Sequence, residues 1–153
     1  MTRTSQDEMA RLLSAAPLFG ALSGEGRARL ARSARIATYS APQRLWTAGT
    51  EATRLGLVIS GRLKSVQHVA DREVIVDVVL PGELVGEVAF ALGARYQSTV
   101  ICLRRARVLL GEAGLLRHAL GREQRAQAAL AADLAAQVQR LMRACKDGSN
   151  PVQ

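Results

Sequence analysis

The sequence predicts a mainly β domain with flanking helices, namely an antiparallel β-roll or jelly roll followed by a long C-terminal helix. Between residues 36 and 110, short apolar or alternating segments are separated by Gly, Pro or charged turns, which is typical of antiparallel strands. From residue 122 this rhythm gives way to an Ala-rich segment without Gly or Pro, which is typical of a helix. The length of 153 residues suits one domain with a core of its own.

Two amphipathic helices are predicted at the N-terminal end. Ser5 and Glu8 have the spacing of a capping box, and apolar residues recur at helical spacing over the following turns. Pro17 is expected to end this first helix. A second helix is expected to begin at Ser23.

The predicted strands are short runs of apolar or alternating residues bounded by turn signals. A helix-like interruption rich in small and apolar residues lies among them at Gly86–Leu92. The strands are expected at Ile36–Tyr39, Arg44–Trp46, Leu55–Ile59, Arg62–Val69, Glu73–Leu80, Thr99–Leu103 and Arg107–Leu110.

The last part of the chain is predicted to be helical. After Gly114, a short helix at Leu115–Leu120 leads into a long helix that reaches about Ala144. Apolar residues at four- and seven-residue spacing form a coiled-coil-like stripe along the long helix. Because a long terminal helix has little of its own domain left to cover it, we expect this stripe to pair two copies in a homodimer. The stripe residues are Leu130, Leu134, Val138, Leu141 and Cys145.

Composition and charge argue against several classes of protein. The formal net charge is +8, but the arginines are spread along the chain without interleaved aromatic residues. A solvated Arg-rich surface is therefore favoured over direct nucleic-acid binding. No apolar run approaches the ~20 residues that span a bilayer, and the polar N-terminus lacks the apolar segment of a secretory signal. We expect a cytoplasmic protein without a membrane partner.

The residues that catalysis needs are sparse. His68 and His118 lie in different predicted elements, with no adjacent Ser or Cys that would form a triad. Cys102 and Cys145 are far apart, and no Asp, Glu or His cluster has metal-ligand spacing. We therefore expect neither an enzyme nor a metal site.

The segment between residues 81 and 100 carries the candidate binding site. Gly86 allows a tight turn after a strand, and Glu87 then places a carboxylate at the start of a short helix. Free backbone N–H groups there can hold a phosphate, while the carboxylate can accept a hydrogen bond from a sugar hydroxyl. The candidate ligand-binding residues are Gly86, Glu87, Val88, Arg95, Tyr96, Gln97, Ser98 and Thr99.

This segment resembles the phosphate-binding cassette of the cyclic nucleotide-binding domain, specifically in the effector domains of CRP/FNR transcription regulators. The family's cassette reads roughly Gly-Glu-x-Ala-Leu, a short loop, and Arg-x-Ala-Thr-Val. Gly86–Phe90 and Ser98–Val100 fall on this pattern. Gly56–Lys64 and Pro81–Glu83 match further landmarks, and the resemblance extends from Leu12 to Arg143.

The resemblance implies a ligand-sensing, dimerising effector domain that binds a cyclic nucleotide or responds to a redox- or nitric-oxide-related signal. The alternative is a stand-alone cyclic-nucleotide-binding-like module that acts through protein partners. The implied organisation is a sensor domain at residues 1–121, a dimerisation helix at 122–146 and a disordered tail at 147–153. No helix-turn-helix pattern fits after Ala144, so DNA contact would depend on a domain absent from this chain.

Two departures from the family pattern concern the ligand. Tyr96 stands where the phosphate-pairing arginine is expected, and Arg95 lies one residue early and would have to swing in. Leu141 and Met142 stand where the family places polar residues for the base. Both departures are familiar from the FNR/denitrification-regulator-like branch of the family, which senses nitrogen oxides or redox state.

The ligand therefore stays open between several groups. The cassette is compatible with cAMP or cGMP, and haem held by His68 or His118 is a less favoured alternative. An iron–sulfur cluster with four cysteine ligands is excluded, because the chain has two cysteines.

Overall fold

The computed structural model describes residues 3–146, with side chains described for residues 7–143. The chain begins and ends with helices, and the strands lie between them. In order, the elements are α1 (Arg3–Ala15), α2 (Pro17–Gly20), α3 (Gly24–Ser33), β1 (Arg35–Tyr39), β2 (Arg44–Trp46), β3 (Arg54–Val69), β4 (Arg72–Val79), β5 (Leu84–Val85), α4 (Glu87–Leu92), β6 (Thr99–Glu112), α5 (Ala113–Leu120) and α6 (Gln124–Lys146).

The sheet is organised around two long antiparallel strands, β3 and β6. They pair from Arg54 opposite Glu112 to Val66 opposite Thr99. The other edge of β6 takes β1 and β2, and β3 takes β4 and β5, which gives the order β1-β6-β3-β4 along the main path. Every pairing is antiparallel. This sheet with its flanking helices and C-terminal helix confirms the predicted fold class.

Two pairs of predicted strands are single strands in the structure. The segments predicted to end at Ile59 and restart at Arg62 are both part of β3. Those predicted to end at Leu103 and restart at Arg107 are both part of β6. The break predicted between Ile59 and Arg62, which would have been a turn at Gly61, was therefore wrong. Gly61 has φ +83° at a shift in the β3–β6 register, so the irregularity bends the paired strands without separating them.

The predicted start of α1 was also wrong, whereas the start of α3 agrees with the sequence. Ser5 lies inside α1 and is not its N-cap. Glu8 instead forms an ion pair with Arg107 on β6, with 3.0 Å between Oε1 and Nη2. At α3, the Ser23 hydroxyl accepts a hydrogen bond of 3.0 Å from the Gly26 N–H, as expected of an N-cap.

The core consists of two clusters, and the predicted binding segment is held by both. One cluster joins α1, α2, α3 and α5 to the roll and includes Phe19 and, from α4, Phe90. The other fills the roll and includes Val85 and Val100, which flank the binding segment. Burial of these apolar side chains on both sides fixes the backbone of the segment.

The side chains of the long helix α6 become less buried by the rest of the domain towards its C-terminal end. Ala126 is fully buried, and Leu130 packs against the helical cluster. Further along, Val138 is 53% exposed and Leu141 is 39% exposed. The side chain of Cys145 and the predicted tail at 147–153 lie outside the described residues. Within residues 3–146, none of the helices combines the length and apolar character needed to cross a membrane.

We predict that Gly61→Ala destabilises the protein more than Gly49→Ala does. Both glycines have positive φ, +83° and +88°, which costs a residue with a Cβ about 1–2 kcal/mol. At Gly61 the new Cβ would also lie 2.1 Å from the Arg105 carbonyl oxygen, whereas nothing lies within 4 Å of the Cβ position at Gly49. Urea unfolding should show a further loss of at least about 1 kcal/mol for Gly61→Ala. Equal losses of stability in the two variants would mean that β6 shifts away from the new Cβ at position 61 without a cost in free energy.

Candidate functional site

A glycine turn between β5 and α4 aims Glu87 into the protein. β5 ends at Val85, Gly86 follows with φ +90°, and α4 begins at Glu87. A Cβ on Gly86 would lie 3.0 Å from Cζ2 of Trp46 and 3.3 Å from the carbonyl oxygen of Arg54. Both the backbone angle and the limited space at the Cβ position favour glycine here, and the turn it makes directs the Glu87 carboxylate inward.

A cavity of about 60 Å³ lies in front of Glu87. Its walls include Trp46 on β2, Asp77 on β4, Ser98 just before β6 and Gln137 on α6. A water needs roughly 10–15 Å³ by this measure, whereas small-molecule pockets are roughly 300–1,000 Å³. In this conformation the cavity has room for a few water molecules but not for a nucleotide.

Glu87 is a buried carboxyl group with an unused oxygen. The residue is 3% exposed, and its Oε2 has no hydrogen-bond partner among the described residues. Burial raises the pKa of Glu87 to about 7, its own backbone N–H lowers it, Asp133 and Asp77 raise it, and Arg140 lowers it. Near neutral pH both protonation states are populated, so this group can either donate or accept a hydrogen bond.

The surroundings of Glu87 are acidic. Burial raises the pKa of Asp77 on β4 and of Asp133 on α6. The Gln137 Nε2 lies 3.5 Å from Oδ2 of Asp77, and the Arg140 Nη1 lies 3.5 Å from Oε2 of Glu83. As far as the structure describes the cavity lining, it contains no Arg, Lys or His. The site therefore offers hydrogen-bond acceptors rather than positive charge.

Tyr96 has its polar and apolar groups engaged within the protein. Its ring stacks on Trp46, with 4.2 Å between the centroids and 2° between the planes. Its hydroxyl donates to the Arg54 carbonyl oxygen at 2.7 Å and accepts from the Arg54 N–H at 3.0 Å. Burial raises the pKa of Tyr96, which keeps the hydroxyl neutral. Tyr96 therefore occupies the position where the sequence pattern expects a phosphate-binding arginine, and these contacts hold its side chain in place.

Of the remaining predicted binding residues, some line the cavity. Val88 at the start of α4 does so, as do Gln97 and Ser98 before β6. The backbone carbonyl of Gln97 accepts a hydrogen bond of 3.4 Å from Nε2 of Gln67 on β3, which ties this loop to the sheet. The structure therefore brings these residues together with Glu87.

Two predicted binding residues point their side chains elsewhere. Arg95 is exposed, and its Nη1 donates to the Gly49 carbonyl oxygen at 3.0 Å. Thr99 is buried, and its hydroxyl accepts from the Ala48 N–H at 3.0 Å. Both contacts fasten the loop after β2 to the binding segment. In this conformation neither side chain lines the cavity.

Sequence reasoning missed Trp46, Asp77 and Gln137, which line the cavity from distant elements. A signal existed for Asp77, because it is the only charged residue in the apolar run from Val74 to Leu80. Trp46 is the single tryptophan of the chain. The two residues aligned with base-contacting positions, Leu141 and Met142, are exposed and do not line the cavity.

Neither histidine lines the cavity at Glu87. His68 lies near the end of β3 and His118 on α5, and both are exposed. The crevice beside His118 is also lined by Glu25, Arg29 and Glu123.

The antiparallel roll, the glycine turn that aims a buried glutamate and the long helix across the cavity define the class of cyclic-nucleotide-binding β-rolls. The sequence profile of the cyclic nucleotide-binding domain matches residues 36–128, which is more than half of the chain. The chain belongs to the cyclic nucleotide-binding domain family. The family predicted from the sequence is confirmed. The comparison with curated proteins gave no match.

Solved structures share this fold at low sequence identity. The sensor domain of the transcriptional regulator DNR from Pseudomonas aeruginosa superposes with a TM-score of 0.77 at 18% identity, covering 90% of this chain and 93% of that one. The N-terminal domain of a transcriptional regulator from Streptomyces coelicolor A3(2) gives 0.62 at 28% identity, covering 88% and 94%.

A third similar structure comes from a kinase. The regulatory subunit of a cAMP-independent protein kinase A from Trypanosoma cruzi, bound to guanosine, gives a TM-score of 0.72 at 17% identity over 95% of this chain. The match covers 51% of that subunit, so this chain spans about half of its length.

We predict that the protein loses stability as pH rises through the range set by Glu87. An unfolded glutamate loses its proton near pH 4.5, whereas the folded one keeps it until about pH 7. Between these values the folded state binds more protons, so the free energy of unfolding falls with rising pH, by about 3 kcal/mol in total.

Glu87→Gln, whose side chain is neutral at every pH, should abolish most of this fall when urea unfolding is measured between pH 5 and pH 8. Asp77 and Asp133 have pKa values raised in the same direction and should leave a smaller residual fall. Glu112→Gln, at an exposed position at the end of β6, is the matched control. Identical profiles for wild type and Glu87→Gln would show that Glu87 is ionised in the folded protein.

Proposed function

We propose that this chain is the ligand-sensing, dimerising effector domain of a CRP/FNR-type transcription regulator, with a ligand of the nucleoside class in the cavity at Glu87. One observation carries the proposal. The helix that closes the cavity through Gln137 is the same helix that presents Val138 and Leu141 to solvent. A molecule entering the cavity therefore acts on the element that carries the exposed apolar stripe.

Two of the similar structures support the regulator assignment. They are named as the sensor domain and the N-terminal domain of transcriptional regulators, and this chain covers 93% and 94% of them. The membership of the family and the neighbour bound to guanosine support a ligand of the nucleoside class, cyclic nucleotides included. The proposed role is binding and conformational signalling, with no covalent step.

Signalling in this proposal begins with displacement of α6. The cavity of about 60 Å³ must enlarge before a nucleoside can enter. The polar contacts that hold α6 over the cavity are long, 3.5 Å each for Gln137 to Asp77 and for Arg140 to Glu83. Polar contacts of this length contribute little to holding α6 in place. A ligand that binds the open arrangement better than the closed one shifts the population towards it and moves α6.

We further propose that α6 pairs two copies of the chain in a two-fold homodimer. Leu130 is part of the domain's own core, so the contact would fall to Leu134, Val138 and Leu141, with Met142 beside them. In a two-fold dimer this apolar stripe meets itself, which removes its exposed surface from water. In this arrangement residues 1–121 sense and 122–146 dimerise. DNA contact would depend on a helix-turn-helix domain that residues 3–146 do not contain.

We expect Trp46 to report ligand binding directly. It lines the cavity and is the single tryptophan, so its fluorescence should change saturably when adenosine, guanosine, cAMP or cGMP is titrated in. Glu87→Ala should weaken the binding of any active ligand about ten- to hundredfold, because a hydrogen bond to a charged group contributes about 1.5–3 kcal/mol. Glu112→Ala serves as the control. Absence of a saturable change with all four compounds at millimolar concentration would contradict the ligand-sensing role.

We expect Val138→Glu combined with Leu141→Glu to convert the dimer to a monomer in sedimentation velocity. Both side chains are exposed in the single chain, so charges there should leave its fold intact while opposing self-pairing. Ala132→Glu combined with Ala136→Glu adds the same charge at exposed positions on the opposite side of α6 and should stay dimeric. A wild-type monomer, or a dimer that survives the first double substitution, would contradict pairing through α6.

A further inference from the structure

We propose that the cavity at Glu87 selects a phosphate-free nucleoside over the 3′,5′-cyclic nucleotide of the same base. This inference rests on the proposed ligand-sensing function and names the ligand class of that site. Two independent features of the described residues support it, the charge of the lining and the engagement of Tyr96, while the unused oxygen of Glu87 supplies a contact for the ribose.

The charge of the lining opposes an anion. Glu87 and Asp77 both line the cavity, and no cationic side chain does so among the described residues. Arg140 pairs with Glu83 at 3.5 Å and Arg95 donates to the Gly49 carbonyl oxygen, and neither side chain lines the cavity. A cyclic phosphate would enter a partly dehydrated space lined by carboxyl groups, where like charges repel more strongly than in water.

Tyr96 occupies the position that would pair with a phosphate, and hydrogen bonds and stacking hold its aromatic side chain in place. The Tyr96 hydroxyl already donates to one backbone group of Arg54 and accepts from another. Its ring lies flat on Trp46, which in turn supports the turn at Gly86. Reorientation of Tyr96 towards a phosphate would break both hydrogen bonds and the stack. The structure therefore offers a phosphate no replacement for the missing arginine.

The unused oxygen of Glu87 requires a donor. Oε2 of Glu87 is buried without a partner, and the residue lines the cavity. A buried acceptor without a partner is destabilising, and a ribose hydroxyl can satisfy it. The 3′,5′-cyclic nucleotide keeps its ribose 2′-hydroxyl, so this contact would anchor the ribose of either ligand. A bound cation is not an equivalent answer, because no group of three or more His, Cys, Asp or Glu within the described part of the chain could hold a metal ion.

Calorimetric titration of the full chain with guanosine against cGMP, and with adenosine against cAMP, tests the inference. The nucleoside of at least one pair should bind at least tenfold more tightly than its cyclic nucleotide. Asp77→Asn removes one carboxylate from the lining and should narrow this ratio by strengthening cyclic nucleotide binding. Asp71→Asn, in the exposed turn of the same β-hairpin, is the matched control and should leave the ratio unchanged. Arg95→Ala should change neither affinity.

Each outcome decides between the two proposals. Cyclic nucleotide binding as tight as nucleoside binding, or tighter, overturns the selectivity while leaving the ligand-sensing function in place. A loss of cyclic nucleotide binding on Arg95→Ala also overturns it, because Arg95 would then reach the phosphate. Absence of heat with all four compounds overturns the selectivity and the ligand-sensing function together. Glu87→Ala, checked for folding by circular dichroism, should weaken nucleoside binding; unchanged nucleoside affinity would contradict the role given to Oε2.

Discussion

The antiparallel pairing of β3 with β6 is the constraint on which the rest of the structure depends. These strands have 16 and 14 residues, and each carries the remaining strands on its other edge. The register of this one ladder therefore sets where β2, β4 and β5 lie. It brings Trp46 and Asp77, which are distant in sequence, to the two sides of Glu87. The binding site is a consequence of strand register, with α6 added as its cover.

A buried carboxyl group without a full set of hydrogen-bond partners destabilises the folded protein, and packing elsewhere must compensate for this loss of stability. Glu87 is held in place by the rigid Gly86 turn and by the anchoring of Phe90 in the helical core. Because the backbone around it cannot relax, the carboxyl group stays in a poorly solvated position with a raised pKa. Such groups concentrate at functional sites, since a ligand can supply the hydrogen-bond partner that is missing from the protein.

Sequence signals of short range were sufficient for the fold class and for the centre of the site. Gly86 and Glu87 follow from a local turn-and-helix motif, and the helices and strands follow from hydrophobic periodicity. The turn predicted at Gly61 failed because a positive-φ glycine serves a hairpin and a bulge equally well, and only the pairing with β6 distinguishes them. Asp77 and Gln137 could not be assigned to the cavity, because their neighbourhood arises from tertiary contacts between β4 and α6.

The stacked pair of Trp46 and Tyr96 bears on how such a site can change during evolution. Placing an arginine at position 96 would remove one half of the stack and expose the ring that supports Gly86. The substitution would therefore impair the turn that aims Glu87 before any phosphate could be gained. Because the two rings are in contact, we expect the effects of substitutions at positions 46 and 96 on stability to be non-additive.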